Sequence, residues 1–241
     1  SDVIFNDDGT KMYVPDNNSG YVYQYSLSTA FDVSSASYLN YYVSGVTAQS
    51  MSFNNDGTKL FLLTANQIRE YSVSTAFDTS STVSLTTSTS LSSQESAMTG
   101  FAFNNDGTKM FTVGTTNDNV YEYALSTAFD VSSSSLSFTD SLSISSQEQI
   151  PTEIRFNLDG TKMYITGNEG RDINEYTLST AFDISSTVTH KGSYSLVSSD
   201  SYPTGFSFNN DGTKLFTTGA NFDRVNDCLL YTSPSPRDIR W

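Results

Sequence analysis

Phe53-Asn54-Asn55-Asp56-Gly57-Thr58-Lys59-Leu60-Phe61 is one copy of a stretch that recurs along the chain. Its Asp-Gly-Thr-Lys core begins at Asp8, Asp56, Asp106, Asp159 and Asp211, spaced 48, 50, 53 and 52 residues apart. A second string, Ser-Thr-Ala-Phe-Asp, ends at Asp32, Asp78, Asp130 and Asp183, always after the first. One supersecondary unit is therefore being copied, with a period that falls among the propeller-type repeats.

Each unit reads as four strands. A short alternating segment ends in Phe, as in Gly100-Phe101-Ala102-Phe103. Asn-x-Asp-Gly-Thr then signals a tight turn, because Gly and Asn tolerate the positive φ such turns require. A second strand follows, for example Lys109 to Val113. A polar loop leads to a third, Val22–Leu27, Ile68–Val73, Val120–Leu125 or Ile173–Leu178, and Ser-Thr-Ala-Phe-Asp carries the chain into a Ser/Thr-rich fourth. β-branched and aromatic residues at period two support strands throughout. No stretch keeps helical periodicity long enough for a helix.

Four antiparallel strands, copied, make a propeller blade, whose two faces are buried only between neighbours. That explains 13% aromatic against 16% charged residues. The unit limits fall near 1–47, 48–97, 98–149, 150–202 and 203–227. The expected fold is all-β: an incomplete β-propeller of four-stranded antiparallel blades, about four and a half of them. With no initiator Met and a first strand already under way at Ser1, the chain is expected to be a piece of a larger ring.

The 12 Lys+Arg against 26 Asp+Glu give a net charge of −14 over 241 residues, which argues against a nucleic-acid binder tracking phosphates. No apolar run reaches the roughly 20 residues of a membrane span. One cysteine excludes an intrachain disulfide framework.

The repeated turn resembles the Pro-Asp-Gly-x-x-Leu-Tyr-Val signature of YVTN-type and TolB-like propeller repeats. The proline is replaced here by Asp7, Asn55, Asn105, Leu158 or Asn210. The third-strand motif and Ser-Thr-Ala-Phe-Asp resemble repeats of marine bacterial and phage-encoded propellers. The resemblance covers residues 1–227 and implies a fold more than an activity. From Cys228 the chain reads Cys-Leu-Leu-Tyr-Thr-Ser-Pro-Ser-Pro-Arg-Asp, which resembles a translated sequencing adapter. Cys228 stands where the repeat expects a Tyr. Residues 228–241 are expected to be an artefactual tail, with Trp241 outside any blade core.

In such a fold the first strand lines the channel. The Asp-Gly-Thr turns lie on one face and the second-to-third loops on the other. The turns barely vary between units, whereas the loops do, and variable loops on a rigid scaffold usually carry recognition. The candidate ligand surface is Asp16, Asn17, Asn18, Asn66, Asn117, Asp118, Asn119, Asn168, Glu169, Arg171, Asp172, Asn221, Asp223 and Arg224. Glu153 and Arg155 replace the small first-strand residues Ser50/Gly100/Gly205 and Ser52/Ala102/Ser207. Two residues apart on one strand face, both can approach the channel as an ion pair or a ligand site. His190, the only histidine, falls on a fourth strand without a partner for general-base work. Tyr25, Tyr71, Tyr123 and Tyr176 are expected in the core between blades. No catalytic set, metal or cofactor is read from the sequence.

The expected role is a non-catalytic module for binding or structural interaction with a protein or glycan, extracellular, cell-surface or virion-associated. The alternative is a lactonase- or hydrolase-like propeller with a metal or ligand at the channel. Carboxylates clustered around Glu153 would favour the enzyme, and scattered loop carboxylates the binder.

Overall fold

The computed structural model describes residues 2–198, 200–221 and 224–229. Blade 1 comprises β1 (Ile4–Phe5), β2 (Lys11–Pro15), β3 (Tyr21–Leu27) and β4 (Ala36–Val43). Blade 2 holds β5 (Ser50–Phe53), β6 (Lys59–Leu63), β7 (Gln67–Val73) and β8 (Val83–Ser90). Blade 3 holds β9 (Met98–Phe103), β10 (Lys109–Gly114), β11 (Asn119–Leu125) and β12 (Leu136–Ser143). Blade 4 holds β13 (Pro151–Phe156), β14 (Lys162–Gly167), β15 (Asp172–Leu178) and β16 (Val188–Ser195). Blade 5 shows β17 (Pro203–Phe208), β18 (Lys214–Gly219) and β19 (Val225–Leu229) among the described residues. Every sheet is an antiparallel meander in chain order.

The turn that decides the fold is built by its side chains as much as by its glycine. In blade 3, Gly107 N–H donates to Asn104 O (3.1 Å), and Gly107 sits at φ +70°. Asn104 Oδ1 accepts from Lys109 N–H (2.9 Å), while Asp106 Oδ1 accepts from Thr108 N–H (3.0 Å) and Thr108 Oγ1 (2.6 Å). Asn therefore acts through its amide, and only the glycine takes the left-handed region. The Phe of Ser-Thr-Ala-Phe-Asp then clamps this turn: Phe129 N–H donates to Gly107 O (2.9 Å). Its ring lies where a Cβ on Gly107 would come within 2.2 Å. Phe31, Phe77, Phe129 and Phe182 themselves sit at φ between 52° and 55°, a costly region for an aromatic residue that this clamp holds in place.

The same connection staples neighbouring blades. Lys59 Nζ of blade 2 donates to Phe129 O of blade 3 (2.7 Å) and pairs with the third-strand Glu70 (2.9 Å). Glu70 Oε2 accepts from Val131 N–H (3.3 Å). Lys109, Glu122, Phe182 and Ile184 repeat this between blades 3 and 4. Blade 1 uses a neutral variant, in which Gln24 Oε1 accepts from Thr79 N–H (2.8 Å).

The structure corrects the expected open ring of about four and a half blades: the protein is a closed five-bladed β-propeller. The seam between blades 5 and 1 carries the bonds of the other seams. Lys214 Nζ donates to Phe31 O (2.7 Å), Asn210 Nδ2 donates to Asp7 O (2.5 Å), and the Phe5 and Phe216 rings lie 4.4 Å apart. The buried apolar residues divide into five clusters, each spanning one seam, the fifth joining Val3, Met12 and Leu27 to Phe216. The physical reason is that a seam is closed by inner strands and turns. The fifth repeat carries these in full before its sequence departs from the pattern.

The register of β19 places Cys228 opposite Leu215, as Tyr123 lies opposite Met110 and Tyr176 opposite Met163. Cys228 thus occupies the expected tyrosine position. Residues 230–241, including Trp241, lie outside the described residues. Among the described residues, no helix is long and apolar enough to cross a membrane.

Candidate functional site

Three places hold polar groups in organised positions: the channel, its mouth on the turn face, and the loop face. In the channel, residues of three blades converge on one guanidinium, and a fourth blade reaches it through Asp2. Arg155 Nη2 pairs with Asp2 Oδ2 (2.7 Å) and Nη1 with Glu153 Oε1 (2.6 Å). Nη1 also donates to Phe101 O and Ile154 O (both 2.9 Å). Asp2 Oδ2 accepts from Ser50 Oγ (3.1 Å) and Met51 N–H (3.3 Å). Asp2 and Glu153 are fully buried. Burial pushes the Glu153 carboxyl well above the usual range; Arg155 opposes this and Asp2 adds to it. Burial alone would lower the Arg155 pKa, but Asp2 and Glu153 more than offset it and keep the guanidinium charged. Arg155 thus holds both buried carboxylates, Asp2 and Glu153, at the axis. Glu153 Oε2 has no hydrogen-bond partner among the described residues.

Glu153 and Arg155 do approach the channel, as their spacing implied, and Glu153 fits only because its neighbour is glycine. A Cβ on Gly100 would lie 2.6 Å from Glu153 Cα. Asp2 was not anticipated. Its signal was available, since it occupies the Ser50/Gly100/Gly205 position of unit 1.

At the turn face the channel opens into a cavity of about 300 Å³. Phe5, Phe53, Phe103, Phe156 and Phe208 wall it, one from each blade, with Arg155 also at its lining. A belt of amides surrounds this mouth. Asn55 Nδ2 donates to Asn105 O (2.7 Å), Asn105 Nδ2 to Leu158 O (2.5 Å), and Asn210 Nδ2 to Asp7 O. Leu158, 74% exposed, and Asp7 interrupt the belt, because neither offers an amide donor.

On the loop face a buried acid sits beneath the loops of blades 3, 4 and 5. Glu148 Oε1 accepts from Ile150 N–H (2.7 Å) and Glu169 N–H (3.2 Å), and Oε2 from Gly170 N–H (3.1 Å). Glu95 accepts from Ala97 N–H (2.9 Å) and Asn117 N–H (3.2 Å), and Asp200 from Tyr202 N–H (2.8 Å). Gly114, Gly167 and Gly219 make room for Glu95, Glu148 and Asp200, because a Cβ at each would fall within 2.4 Å of the acid side chain. These three acids went unread in the sequence, although a glycine recurring at the end of the second strand marked their place.

Most of the predicted loop residues bond within their own loop or to the adjoining blade-to-blade connection. Asp16 Oδ1 accepts from Asn18 N–H (2.8 Å) and Oδ2 from Ser19 Oγ (2.5 Å). Asn66, Asp118 and Arg171 each give a backbone carbonyl to the next connection, at Leu91, Ile144 and Leu196, and Arg171 lies over the Tyr202 ring (5.8 Å). Asn117 Nδ2 donates to Gln94 O (3.1 Å), and Asn119 opens β11. Asn168 N–H donates to Ile150 O (3.0 Å), Asn174 Nδ2 donates to Asp172 Oδ1 (2.9 Å), and Asn221 Nδ2 donates to Ser201 Oγ. Asp16, Asn17, Asn18 and Arg224 do meet, on a cleft of about 830 Å³ between blades 1 and 5. Asp223 lies outside the described residues. His190 is exposed on β16, with Nε2 3.0 Å from Asn174 Oδ1. Tyr71, Tyr123 and Tyr176 are buried as expected, but Tyr25 is only half-buried.

These features define a five-bladed propeller whose two faces are built differently. No protein-family model matches the sequence, and no curated protein matches it at the sequence level. Solved structures match its fold. A candidate 6-phosphogluconolactonase from Bacteroides fragilis superposes with a TM-score of 0.58 at 13% identity, over 94% of this chain and 79% of that one. The Cps50 (Swd1) β-propeller domain of Myceliophteria thermophila gives 0.54 at 12% identity, over 95% and 81%. A protein of unknown function from Desulfotomaculum acetoxidans gives 0.54 at 12%, over 90% of this chain but 62% of its own length. The chain is thus similar in fold to lactonase-like and Swd1-type propellers, and it spans less than two thirds of that last relative.

Proposed function

We propose that this chain is a non-catalytic binding module whose recognition surface is the loop face. The observation that carries this is the set of buried acids beneath unlike loops. Glu95 and Glu148 gather N–H groups of the loops of blades 3 and 4, and Asp200 holds the connection into blade 5, so that these segments keep one shape. A loop held rigid before binding loses less conformational entropy when a partner docks, so such loops favour recognition. The partner is a protein or a glycan, in keeping with an extracellular or virion-associated setting.

The test is a capture experiment with the double variant Glu169→Ala/Arg171→Ala, whose residues are exposed. Loss of partner retention with unchanged melting temperature supports the reading. Retention unaffected by changes in every loop overturns it.

A second reading rests on Glu153, a buried acid in the channel with an oxygen unpartnered among the described residues. Similar propellers include candidate lactonases. Hydrolysis of a sugar lactone that disappears in Glu153→Gln, with the fold intact, would favour that enzyme instead.

A further inference from the structure

The five Asp-Gly pairs of the chain, at Asp8, Asp56, Asp106, Asp159 and Asp211, all lie in the repeated turn. Asp-Gly is an aspartyl pair open to isomerisation, because glycine has no Cβ to shield its own amide nitrogen. The reaction joins the Gly nitrogen to the Asp Cγ. The nitrogen gives up its proton, the Cγ–O bond of the protonated carboxyl breaks, and water leaves a cyclic imide. Water then reopens the imide at either carbonyl. Entry at the old side-chain carbonyl restores aspartate. Entry at the main-chain carbonyl leaves isoaspartate, with the chain rerouted through Cβ and Cγ. Each of these Asp residues is exposed, so water does not limit the chemistry.

The turn opposes the first step from both sides. On the nitrogen side, the Gly N–H is engaged in every unit: it donates to Asn6 O, Asn54 O, Asn104 O, Asn157 O and Asn209 O at 3.0–3.1 Å. A nitrogen so held keeps its proton. Gly9, Gly57, Gly107 and Gly160 are also buried beneath a phenylalanine ring, where a base from solvent does not reach. On the carboxyl side, the Asp side chain is turned past the glycine. Its Oδ1 accepts from the N–H of the Thr beyond (2.9–3.0 Å) and from that Thr hydroxyl (2.5–2.6 Å). These bonds favour the ionised form and hold the Asp106 carboxyl below its ordinary range. An ionised carboxylate has no hydroxyl to lose as water. Asn-Gly, which reacts by the same route with ammonia leaving, does not occur in the chain.

We propose that the repeated turn carries five latent isoaspartate sites and holds them closed, with the threonine hydroxyl as the latch. Asp106 becomes a modification site when Thr108 releases it, because its carboxyl can then swing back toward the Gly107 nitrogen. The rate follows the fraction of time that the turn stands open. Losing one hydrogen bond to a charged group raises that fraction about tenfold. The proposal concerns the turn face, so it stands or falls without the binding reading given above.

The experiment ages the full chain for several weeks at neutral pH and physiological temperature and reads isoaspartate by tryptic peptide mapping. Lys11, Lys59, Lys109, Lys162 and Lys214 follow the turns, so each Asp-Gly falls on its own tryptic peptide and the other turns serve as internal controls. A synthetic peptide of residues 103–111 supplies the unprotected rate. Thr108 is exposed, so its replacement leaves the blade core intact. In the parent, isoaspartate at all five positions is expected to form at least about tenfold more slowly than in the peptide. In Thr108→Val it should form about tenfold faster than in the parent at Asp106, and at the parent rate at Asp8, Asp56, Asp159 and Asp211. Thr108→Ser, which keeps a hydroxyl, should age like the parent. Circular dichroism checks that both variants are folded. Four outcomes overturn the proposal: parent turns that isomerise as fast as the peptide, an unchanged rate at Asp106 in Thr108→Val, a rise shared equally by all five turns, or Thr108→Ser ageing as fast as Thr108→Val.

Discussion

The turn face and the loop face of this propeller both use carboxylates to shape loops, but they do so differently. On the turn face the same Asp, Thr and Gly recur five times with the same bonds, and a phenylalanine presses on the glycine in blades 1 to 4. On the loop face the supporting acid changes from glutamate to aspartate, and the loops above it differ in length and sequence. Uniformity across repeats marks what every blade needs to stand beside its neighbour. Variation marks what each blade is free to present.

The largest effect expected from this contrast comes from a turn glycine. Gly107→Ala puts a Cβ into the Phe129 ring at a φ of +70°, whereas Gly45→Ala, also at +70°, meets open space. The first should cost about 3–5 kcal/mol and the second about 1 kcal/mol by urea unfolding. Equal losses would mean that backbone strain, not the phenylalanine clamp, decides the turn.

Next comes the support of a single loop. Glu148→Ala leaves three loop N–H groups without their buried acceptor and should cost about 2–4 kcal/mol. Hydrogen exchange should locate the loss in residues 167–171, with the turn at Gly160 still protected. A loss spread over all blades would break the distinction between the faces.

Smaller effects are expected from acid. Side-chain and backbone bonds from Thr108 hold the Asp106 carboxyl below its ordinary 3.8, and Asp8, Asp56, Asp159 and Asp211 are held low in the same way. A lowered native pKa gives stability that is complete above the unfolded value and lost as pH falls through the native one. Stability should therefore fall below about pH 3.8, and Thr108→Val should soften that fall in a denaturant series across pH 2–6. Glu153 works in the opposite sense. Its raised pKa favours the fold at low pH, and that share is lost as pH rises through its native value. Glu153→Gln should flatten the loss on the alkaline side.

The smallest effect tests the breaks in the amide belt. Leu158→Asn supplies a donor where blade 4 has none, and it should raise stability by about 0.5–1 kcal/mol in a thermal melt. No change would mean that the belt is incidental to ring closure.

Much of the fold was legible in the sequence. Asn54 to Lys59 specify a hairpin through contacts a few residues apart, and the order of motifs specifies a meander. Burial of Tyr71, Tyr123 and Tyr176 followed from strand periodicity. The candidate site was less legible. Glu153 and Arg155 stood out against their repeats, but their partner Asp2 lies more than 150 residues away in sequence, and only ring closure joins them. Glu95 and Glu148 looked like ordinary polar linker residues, because the glycines that admit them come from a neighbouring strand.

The sequence by itself determined the repeat, the blade and the turn chemistry, since all of these depend on neighbours within a unit. The tertiary structure alone decided the number of blades in the ring and the pairing across the channel. Those depend on how units stack. A seam closes through inner strands and turns, so a fifth unit that keeps these can meet the first even where its outer sequence departs from the pattern.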